Sequence, residues 1–469
     1  MIFSKPLPFI SEFVDELAQG IQEIKPNHRL SKAQRWWISF CLTGILLSNT
    51  VCWAEFERIG LGNYTQAALS WMFRKSKLPW SLLLHVSITI ILIRYGITEG
   101  ELAGDDTEKK RAKLTKRIEK AHKIYDKKTG GYINGQEVVV LYLITPKISL
   151  PVGFELYQPD PELVKWQKND EILKKQGMKK SERPPRPERN PMYPTKSELM
   201  LNLLKTFKSY HPNIRIKAIL GDALYGSGWF MNRAADVFAQ TQVISQLRKS
   251  QLICYRNRER PVADYFASYP GVRMAIRIRG EEVNVILGSA RLYVKAHGQK
   301  RFVVALKYEA EEEYRYLVAS DMSWRAVDSA SAYTLRWLIE VFFEDWKLHE
   351  GWGRFALQPG EEGSSRGLTL SLLSDYALLL HPEQSARIKD NLPACTVGSL
   401  IRTSQMDALV SVLRGIVDAD DPQRTLDEIV AVVKRIFLLR DSAKHMSGKN
   451  LGTLEPTPSL KYRAEACMA

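Results

Sequence analysis

The sequence has few cysteines and no long uninterrupted run of apolar residues. Five cysteines are scattered through 469 residues without a Cys-x2-Cys pair, which argues against a zinc site or a disulfide framework and is typical of a reducing compartment. The most apolar run, Trp80–Leu92, includes His85 and is shorter than the ~20 residues of a membrane-spanning helix. The first residues show no basic segment followed by a long apolar one, so no signal peptide is predicted. We therefore expect a soluble, cytoplasmic protein.

Acidic residues are outnumbered by basic ones. The formal net charge is +15, and hydrophobic residues make up 45% of the chain. Such an excess predicts attraction to a polyanion, with nucleic acid first and an anionic membrane surface second. A basic soluble enzyme without such a partner is the alternative on charge alone. The length and the apolar content indicate two to four domains with substantial cores.

The spacing of apolar residues divides the chain into regions with different predicted secondary structure. Helical spacing predominates in residues 1–97, and strand-like and helical runs alternate afterwards. The predicted division is a helical N-terminal domain at 1–97, an α/β core at 98–248 and 326–385, a β-rich insertion at 249–325, and a helical C-terminal region and tail at 386–469. The N-terminal helices suit either a DNA-end-binding module or a cap on the main domain, and the sequence does not separate the two.

Within the core, β-branched runs and helical periodicity alternate. Glu137–Ile144 and Leu150–Tyr157 predict a hairpin, and Ile214–Leu220 predicts a further strand. Residues 158–194 are rich in charge and proline and are predicted to form a long loop-like segment outside the core, with no assigned role. Five further strands are predicted in the insertion: Val272–Arg279, Val283–Leu287, Arg291–Val294, Phe302–Tyr308 and Tyr314–Ala319. These patterns predict an α/β fold class with a mixed sheet.

Two acidic positions lie where an α/β fold places its ligands. Asp222 closes the strand IKAILGD, and Asp105-Asp106-Thr107 falls where the first strand is expected. Ligands in open α/β sheets gather at the carboxyl ends of strands. Taken singly, either motif is also a common helix cap.

A late helix, Val327–His349, carries a more specific pattern. Tyr333, Arg336, Glu340 and Lys347 fall within about 60° of one another around a continuous helix. The alternative is a solvated face stabilised by the i,i+4 pair of Arg336 and Glu340.

This Tyr-x2-Arg-x3-Glu-x6-Lys pattern resembles the signature of bacterial insertion-sequence DDE transposases, which have an RNase H-like catalytic domain. The resemblance extends to Asp-x-Thr, seen here as Asp105-Asp106-Thr107, and to an Asp followed closely by Tyr-Gly, seen here as GDALYG. The three motifs occur in the family's order, with the β-rich insertion between the second and the third. They span about residues 100–380.

The resemblance implies a role for each matching residue. Asp105, Asp222 and Glu340 would be the catalytic triad and would hold two Mg²⁺ ions, for which Mn²⁺ would substitute. Hard cations of this kind prefer oxygen ligands, and a pair of them can activate a nucleophile and stabilise the leaving oxygen. Tyr333, Arg336 and Lys347 would contact DNA phosphates. Asp105 is preferred to Asp106 because the pattern is Asp-x-Thr, and Glu344 does not fit the signature spacing.

Further DNA contacts are predicted outside this signature. The basic run Lys109–Lys128 follows the first acidic motif, so Lys109, Lys110 and Arg111 are expected to contact phosphates, unless the run is only a solvated face. In the resembling family the insertion often presents an aromatic residue to an extruded base. Tyr316 is the candidate for this role, and Trp324 is second.

The predicted function is that of a DNA transposase that binds the terminal repeats of an insertion sequence. It would cleave at the element's ends and join the freed 3′-hydroxyls to target DNA. Its partners would be double-stranded DNA and, in the DNA complex, a second copy of the chain. One rival is a domesticated descendant that binds DNA without cutting it, and another is a nuclease without strand transfer.

Overall fold

The computed structural model describes residues 2–111, 118–126, 130–278, 280–354, 360, 362–437, 453–457 and 460–463. It opens with five helices: α1 (Pro8–Ile24), α2 (Lys32–Ser48), α3 (Trp53–Ile59), α4 (Gln66–Lys75) and α5 (Trp80–Arg94). Ser31 and Gln34 form a capping box that starts α2. Apolar residues on almost every side of α5 are buried, which is typical of a helix surrounded by protein. The predicted helical N-terminal region is confirmed.

Within the described ranges, no single helix is long and apolar enough to cross a membrane. By length and composition alone, two sharply bent helix pairs reach that threshold, namely α2 with α3 and α4 with α5.

The core is a mixed sheet. Its strands are β1 (Glu99–Lys110), β2 (His122–Asp126), β3 (Gly131–Ile144), β4 (Ser149–Tyr157), β5 (Arg215–Gly221) and β6 (Gln242–Leu247). Five of them lie in the order β4-β3-β1-β5-β6, and β2 pairs with the other half of β3. β1 is antiparallel to β3 and parallel to β5, and β5 is parallel to β6. This confirms the predicted α/β class with an RNase H-like mixed-sheet core.

The β-rich insertion continues the core sheet. Its elements are β7 (Leu252–Tyr255), β8 (Arg258–Pro261), α9 (Val262–Ser268), β9 (Val272–Ile278), β10 (Glu281–Val294), β11 (Gln299–Tyr308) and β12 (Arg315–Ala319). β12 pairs antiparallel with β6, so core and insertion share one sheet. The two strands predicted at Val283–Leu287 and Arg291–Val294 are one strand, because β11 pairs continuously with β10 from Val285 to Val294.

Helices cover the sheet and complete the chain. They are α6 (Pro161–Lys175), α7 (Lys196–Tyr210), α8 (Gly228–Val237), α10 (Ala326–Thr334), α11 (Trp337–His349), α12 (Gly363–Leu379), α13 (Pro382–Lys389), α14 (Val397–Val417) and α15 (Pro422–Ile436). Part of the predicted tail forms a two-stranded sheet, β13 (Thr453–Thr457) with β14 (Leu460–Arg463). α12 is apolar and buried around most of its surface and contacts α2, α5 and β4. The N-terminal helices and the core therefore share one hydrophobic cluster, and the proposed domain boundaries stay predictions.

The single late helix predicted at Val327–His349 is wrong. The structure has two helices, α10 and α11, separated at Leu335 and Arg336. Both of these residues keep right-handed helical angles, but their amides donate to carbonyls three residues back rather than four. This tighter turn separates the two helices.

Candidate active site

Asp105, in the middle of β1, and Asp222, just after the end of β5, lie side by side where the parallel pairing of these two strands stops. Gly104 of β1 pairs with Gly221 of β5 in parallel register, and each aspartate directly follows its glycine. Neighbouring strands lie about 4.8 Å apart, so the two aspartates start from adjacent backbone positions. Asp222 accepts a hydrogen bond from the Leu224 amide at 2.9 Å, which fixes the turn after β5.

The two neighbouring aspartates of β1 point to opposite sides of the sheet. Asp105 Oδ2 accepts from Arg336 Nη1 at 2.5 Å, on the side of α11. Asp106 Oδ2 accepts from Lys196 Nζ at 2.8 Å, on the side of α7. Successive side chains of a strand alternate between its faces, and Gly104 faces Met200 of α7 accordingly. The placement supports the choice of Asp105 over Asp106, and its catalytic role stays a prediction.

Arg336 links two of the predicted acidic residues. Its guanidinium forms ion pairs with Asp105 on β1 and with Glu340 in the first turn of α11. Tyr333 is buried at the end of α10 beside Arg336, and burial raises the pKa of its hydroxyl. The turn between α10 and α11 thus places Arg336 between two carboxylates that belong to different elements.

The electrostatic setting of the aspartates disfavours their ionised forms. Burial raises the pKa of Asp105 to about 6, with Asp222 and Asp106 adding to the rise and Arg336 opposing it. Burial also raises the pKa of Asp222, and the nearby Asp106 charge acts in the same direction. Desolvation and like charge both disfavour a carboxylate, and a close cation favours it. Burial is therefore the main cause of both rises, and the charge of Arg336 partly offsets it.

A second polar network lies on the opposite face of β1 and was missed by the sequence reasoning. Lys196 Nζ donates to Asp106 at 2.8 Å and to Glu137 of β3 at 2.7 Å. His122 of β2 also contacts Glu137, at 2.9 Å between Nε2 and Oε2. The capping box of Thr195 and Glu198 fixes the start of α7 and so the position of Lys196. That Thr-x2-Glu pattern was the available signal, but nothing local pairs Lys196 with Asp106.

The comparisons with known proteins agree with this geometry at the level of the family. The family described as DDE superfamily endonuclease matches residues 29–265, about half of the chain. The protein belongs to this family. The matched range includes Asp105 and Asp222 and ends before Glu340. A search of curated proteins found no match.

Two solved structures are distantly similar to this endonuclease. One is a piggyBac transposase synaptic complex with hairpin DNA, 12% identical, covering 92% of this chain and 85% of that one, with a TM-score of 0.42. The other is Ciona intestinalis endonuclease V in complex with a 24mer DNA containing an inosine followed by a ribo-adenosine. It is 12% identical and covers 52% of this chain and 84% of that one, with a TM-score of 0.22. At TM-scores this low, neither likeness carries an argument about function.

The family generally uses divalent metal ions, and the donor chemistry of the site fits such an ion. Asp105, Asp222 and Glu340 offer carboxylate oxygens, the ligands that hard divalent cations prefer. Within the described ranges, no three His, Cys, Asp or Glu side chains are already placed as a metal cluster. Arg336 lies between Asp105 and Glu340, so these carboxylates would close around a cation only after the guanidinium moves aside.

The predicted basic contacts differ in their exposure. Lys110 is exposed at the end of β1, and Lys109 is half-buried, with a hydrogen bond to the carbonyl of Gly353. Burial lowers the pKa of Lys109 to about 8, helped by the nearby charges of Arg111 and Lys347. Arg111 is only 7% exposed and donates to Gln136 Oε1 at 2.8 Å. This placement argues against a phosphate contact by Arg111. Residues 112–117, 127 and 128 of the run lie outside the described residues.

The predicted base-stacking aromatic is enclosed by other rings. Tyr316 in β12 is 8% exposed and stacks on Phe266, with ring centroids 5.9 Å apart, and on Tyr314 at 6.3 Å. So little of Tyr316 is exposed that the structure argues against a role in holding an extruded base. Trp324 is half-buried and lines a cavity of about 740 Å³ together with Leu335, beside the turn that carries Arg336.

Proposed function

We propose that this DDE endonuclease is the transposase of a bacterial insertion sequence and acts in the cytoplasm. It binds the element's terminal repeats, cleaves at the ends and transfers the freed 3′-hydroxyls to target DNA. The observation that carries the proposal is the meeting of Asp105, Asp222 and Glu340 with Arg336 where the parallel pairing of β1 and β5 stops. Three carboxylates from three elements beside one guanidinium suit phosphodiester chemistry better than a structural ion pair.

The chain's own residues divide the work between charge and position. Asp105, Asp222 and Glu340 would hold Mg²⁺ or Mn²⁺, and two such ions supply an activated nucleophile and a stabilised leaving oxygen when bound. Arg336, once released from the carboxylates, would bind two oxygens of a DNA phosphate with its planar fork. Tyr333, packed beside it, limits the directions in which the guanidinium can turn.

Lysines extend the phosphate contacts away from the carboxylates. Lys347 lies near Glu108 and Lys109, further along β1. Lys110 is exposed at the end of the same strand. These lysines lie along β1 on the C-terminal side of Asp105. Duplex DNA lying along β1 would meet positive charge on one side of the scissile phosphate, which would strengthen binding without reading sequence.

The experiment uses the full chain and an end-labelled duplex taken from the DNA that flanks its gene. Nicking is compared in Mg²⁺ and in EDTA for wild type, Glu340→Gln and the control Glu344→Gln, which changes an exposed carboxylate one helical turn further on. We expect metal-dependent nicking at one position, lost in Glu340→Gln and kept in Glu344→Gln. Binding without nicking by all three proteins would favour the domesticated DNA-binding protein.

A second step separates a transposase from a nuclease. Pre-nicked ends with free 3′-hydroxyls are incubated with a supercoiled plasmid and the wild-type protein. Joined products would support strand transfer. Nicking without any joining would favour the rival nuclease.

A further inference from the structure

The helical hairpin near the end of the described chain exposes an unusual amount of apolar surface. Eight large apolar side chains on α14 and α15 and just after them are more than a third exposed: Met406, Leu409, Val410, Leu413, Val417, Leu426, Val430 and Phe437. We call these eight residues the α14–α15 surface. Contiguous exposed apolar surface of this kind is typical of a contact with another macromolecule.

The two helices use their apolar residues differently. α14 buries Leu400, Ala408 and Val412 against the body of the protein, and its exposed apolar residues follow a separate line at helical spacing. α15 is amphipathic in sequence yet has no buried residue. An amphipathic helix gains stability by burying its apolar side. The contacts within the described chain do not complete that burial for α15.

The charge of this hairpin differs from that of the rest of the protein. Residues 397–437 contain five Lys or Arg and six Asp or Glu, whereas the whole chain carries +15. A surface that binds nucleic acid needs an excess of positive charge. The charge of this hairpin therefore argues against nucleic acid as the occupant of the α14–α15 surface.

The charges of α15 are complementary to themselves. Asp427 and Lys434 are both exposed. Around the helix axis, at 100° per residue, Asp427 lies about 60° and Lys434 about 40° from Val430, in the same direction. They are seven residues apart, or about 10 Å along the axis, so they do not pair within one helix. When two copies of a helix pack antiparallel about a two-fold axis, matching flanks meet, and Asp427 of each copy lies opposite Lys434 of the other.

We propose that the α14–α15 surface is the interface between two copies of this chain, with α15 packed antiparallel against its copy. The proposal rests on the proposed function for the need to hold two element ends together, but its test does not depend on cleavage. The contact is isologous, so each copy uses the same surface and the assembly stops at a dimer. Each copy keeps its own carboxylate site.

The experiment exploits the self-complementary charges. Full-length Asp427→Lys and Lys434→Glu are made separately, and molar mass is measured by sedimentation for each variant, for the mixture and for wild type, with and without the flanking duplex. In either variant alone, like charges meet twice across the interface. In a mixed pair, opposite charges meet twice. Circular dichroism and single-end nicking confirm that each variant is folded and active.

We expect a dimeric wild type, at least a tenfold weaker association for each variant alone, and dimers of one copy of each when the two are mixed. A monomeric wild type with and without DNA would overturn the proposal, as would happen if residues 438–469 of the same chain covered α15. Mixing that restores no dimer would also overturn it. Loss of nicking with dimers intact would count against the proposed function and leave this interface standing.

Discussion

Two groups of carboxylic acids lie at opposite ends of α11. At its start, Glu340 and Asp105 share the guanidinium of Arg336, and both are partly exposed. Past its end, Glu350 is fully buried and interacts with Asp375 of α12. Burial raises the pKa of Asp375 to about 7, and burial together with Asp375 raises the pKa of Glu350 well above its usual range.

The difference lies in what surrounds the acids. Arg336 opposes the rise in the pKa of Asp105, and both carboxylates of the first group are partly exposed, so this group can exchange Arg336 for another cation. The second group is sealed between α11 and α12 and avoids charge by retaining protons. A cluster of acidic residues is therefore not by itself a metal site, and the contrast can be tested.

The largest expected effect is on cleavage. Asp105→Asn should lower the rate of metal-dependent nicking by at least about 10³-fold, the scale on which loss of one catalytic group acts. Glu350→Gln, which preserves shape in the buried pair, should leave the rate nearly unchanged. Nicking rates of the two variants on the flanking duplex provide the measurement. Similar losses in both would remove the distinction between the two groups.

The next effect concerns Asp106, which belongs to neither group. Lys196→Met leaves Asp106 and Glu137 without their shared cation, and their side chains are 23% and 15% exposed. We expect the free energy of unfolding in urea to fall by about 2–3 kcal/mol, somewhat less than for a fully buried pair. Lys196→Arg should restore most of it. Unchanged stability in Lys196→Met would show that the network on this face contributes little.

The buried pair should respond to pH. A folded-state pKa above the unfolded value gives stability that is complete at low pH and is lost as pH rises through the folded pKa, here near 7 for Asp375. Glu350→Gln should therefore raise the free energy of unfolding by about 1–2 kcal/mol at pH 8. The difference from wild type should vanish near pH 4. An equal effect at both pH values would contradict the sharing of protons by the pair.

The smallest effect is expected on DNA binding. Lys110→Ala should weaken duplex binding only a few-fold and lower the slope of log affinity against log salt concentration by about one. The control is Lys249→Ala, an exposed lysine of the insertion that pairs with Glu313. Fluorescence anisotropy at several salt concentrations measures both variants. An unchanged slope for Lys110→Ala would remove this lysine from the DNA contacts.

The periodicity of neighbouring residues was enough to predict the strands and helices that carry the candidate site. Asp105 was chosen over Asp106 from the Asp-x-Thr pattern of the resembling family, and the structure places the two side chains on opposite faces of β1. The strand end before Asp222 follows from the run of apolar residues that precedes it. The order of helices and strands was predicted for the same reason. Hairpin, strand and helix periodicities each depend on neighbours in sequence.

Contacts between distant segments account for what was missed. Arg111 is buried because Gln136 of β3 accepts its hydrogen bond, and Tyr316 is enclosed because α9 brings Phe266 against it. No proline or glycine in the sequence marks the break between α10 and α11. For Arg111 and Tyr316 the partner lies in another element, so the sequence around the residue carried no signal.

The central claim is that Asp105, Asp222 and Glu340 hold a divalent cation, and direct Mn²⁺ binding tests it without requiring cleavage. Electron paramagnetic resonance of Mn²⁺ is measured with the full chain bound to the flanking duplex, for wild type, Asp105→Asn and Asp106→Asn. We predict that wild type and Asp106→Asn bind Mn²⁺ alike and that Asp105→Asn loses it. Equal binding by Asp105→Asn and wild type, or a loss confined to Asp106→Asn, would contradict the account.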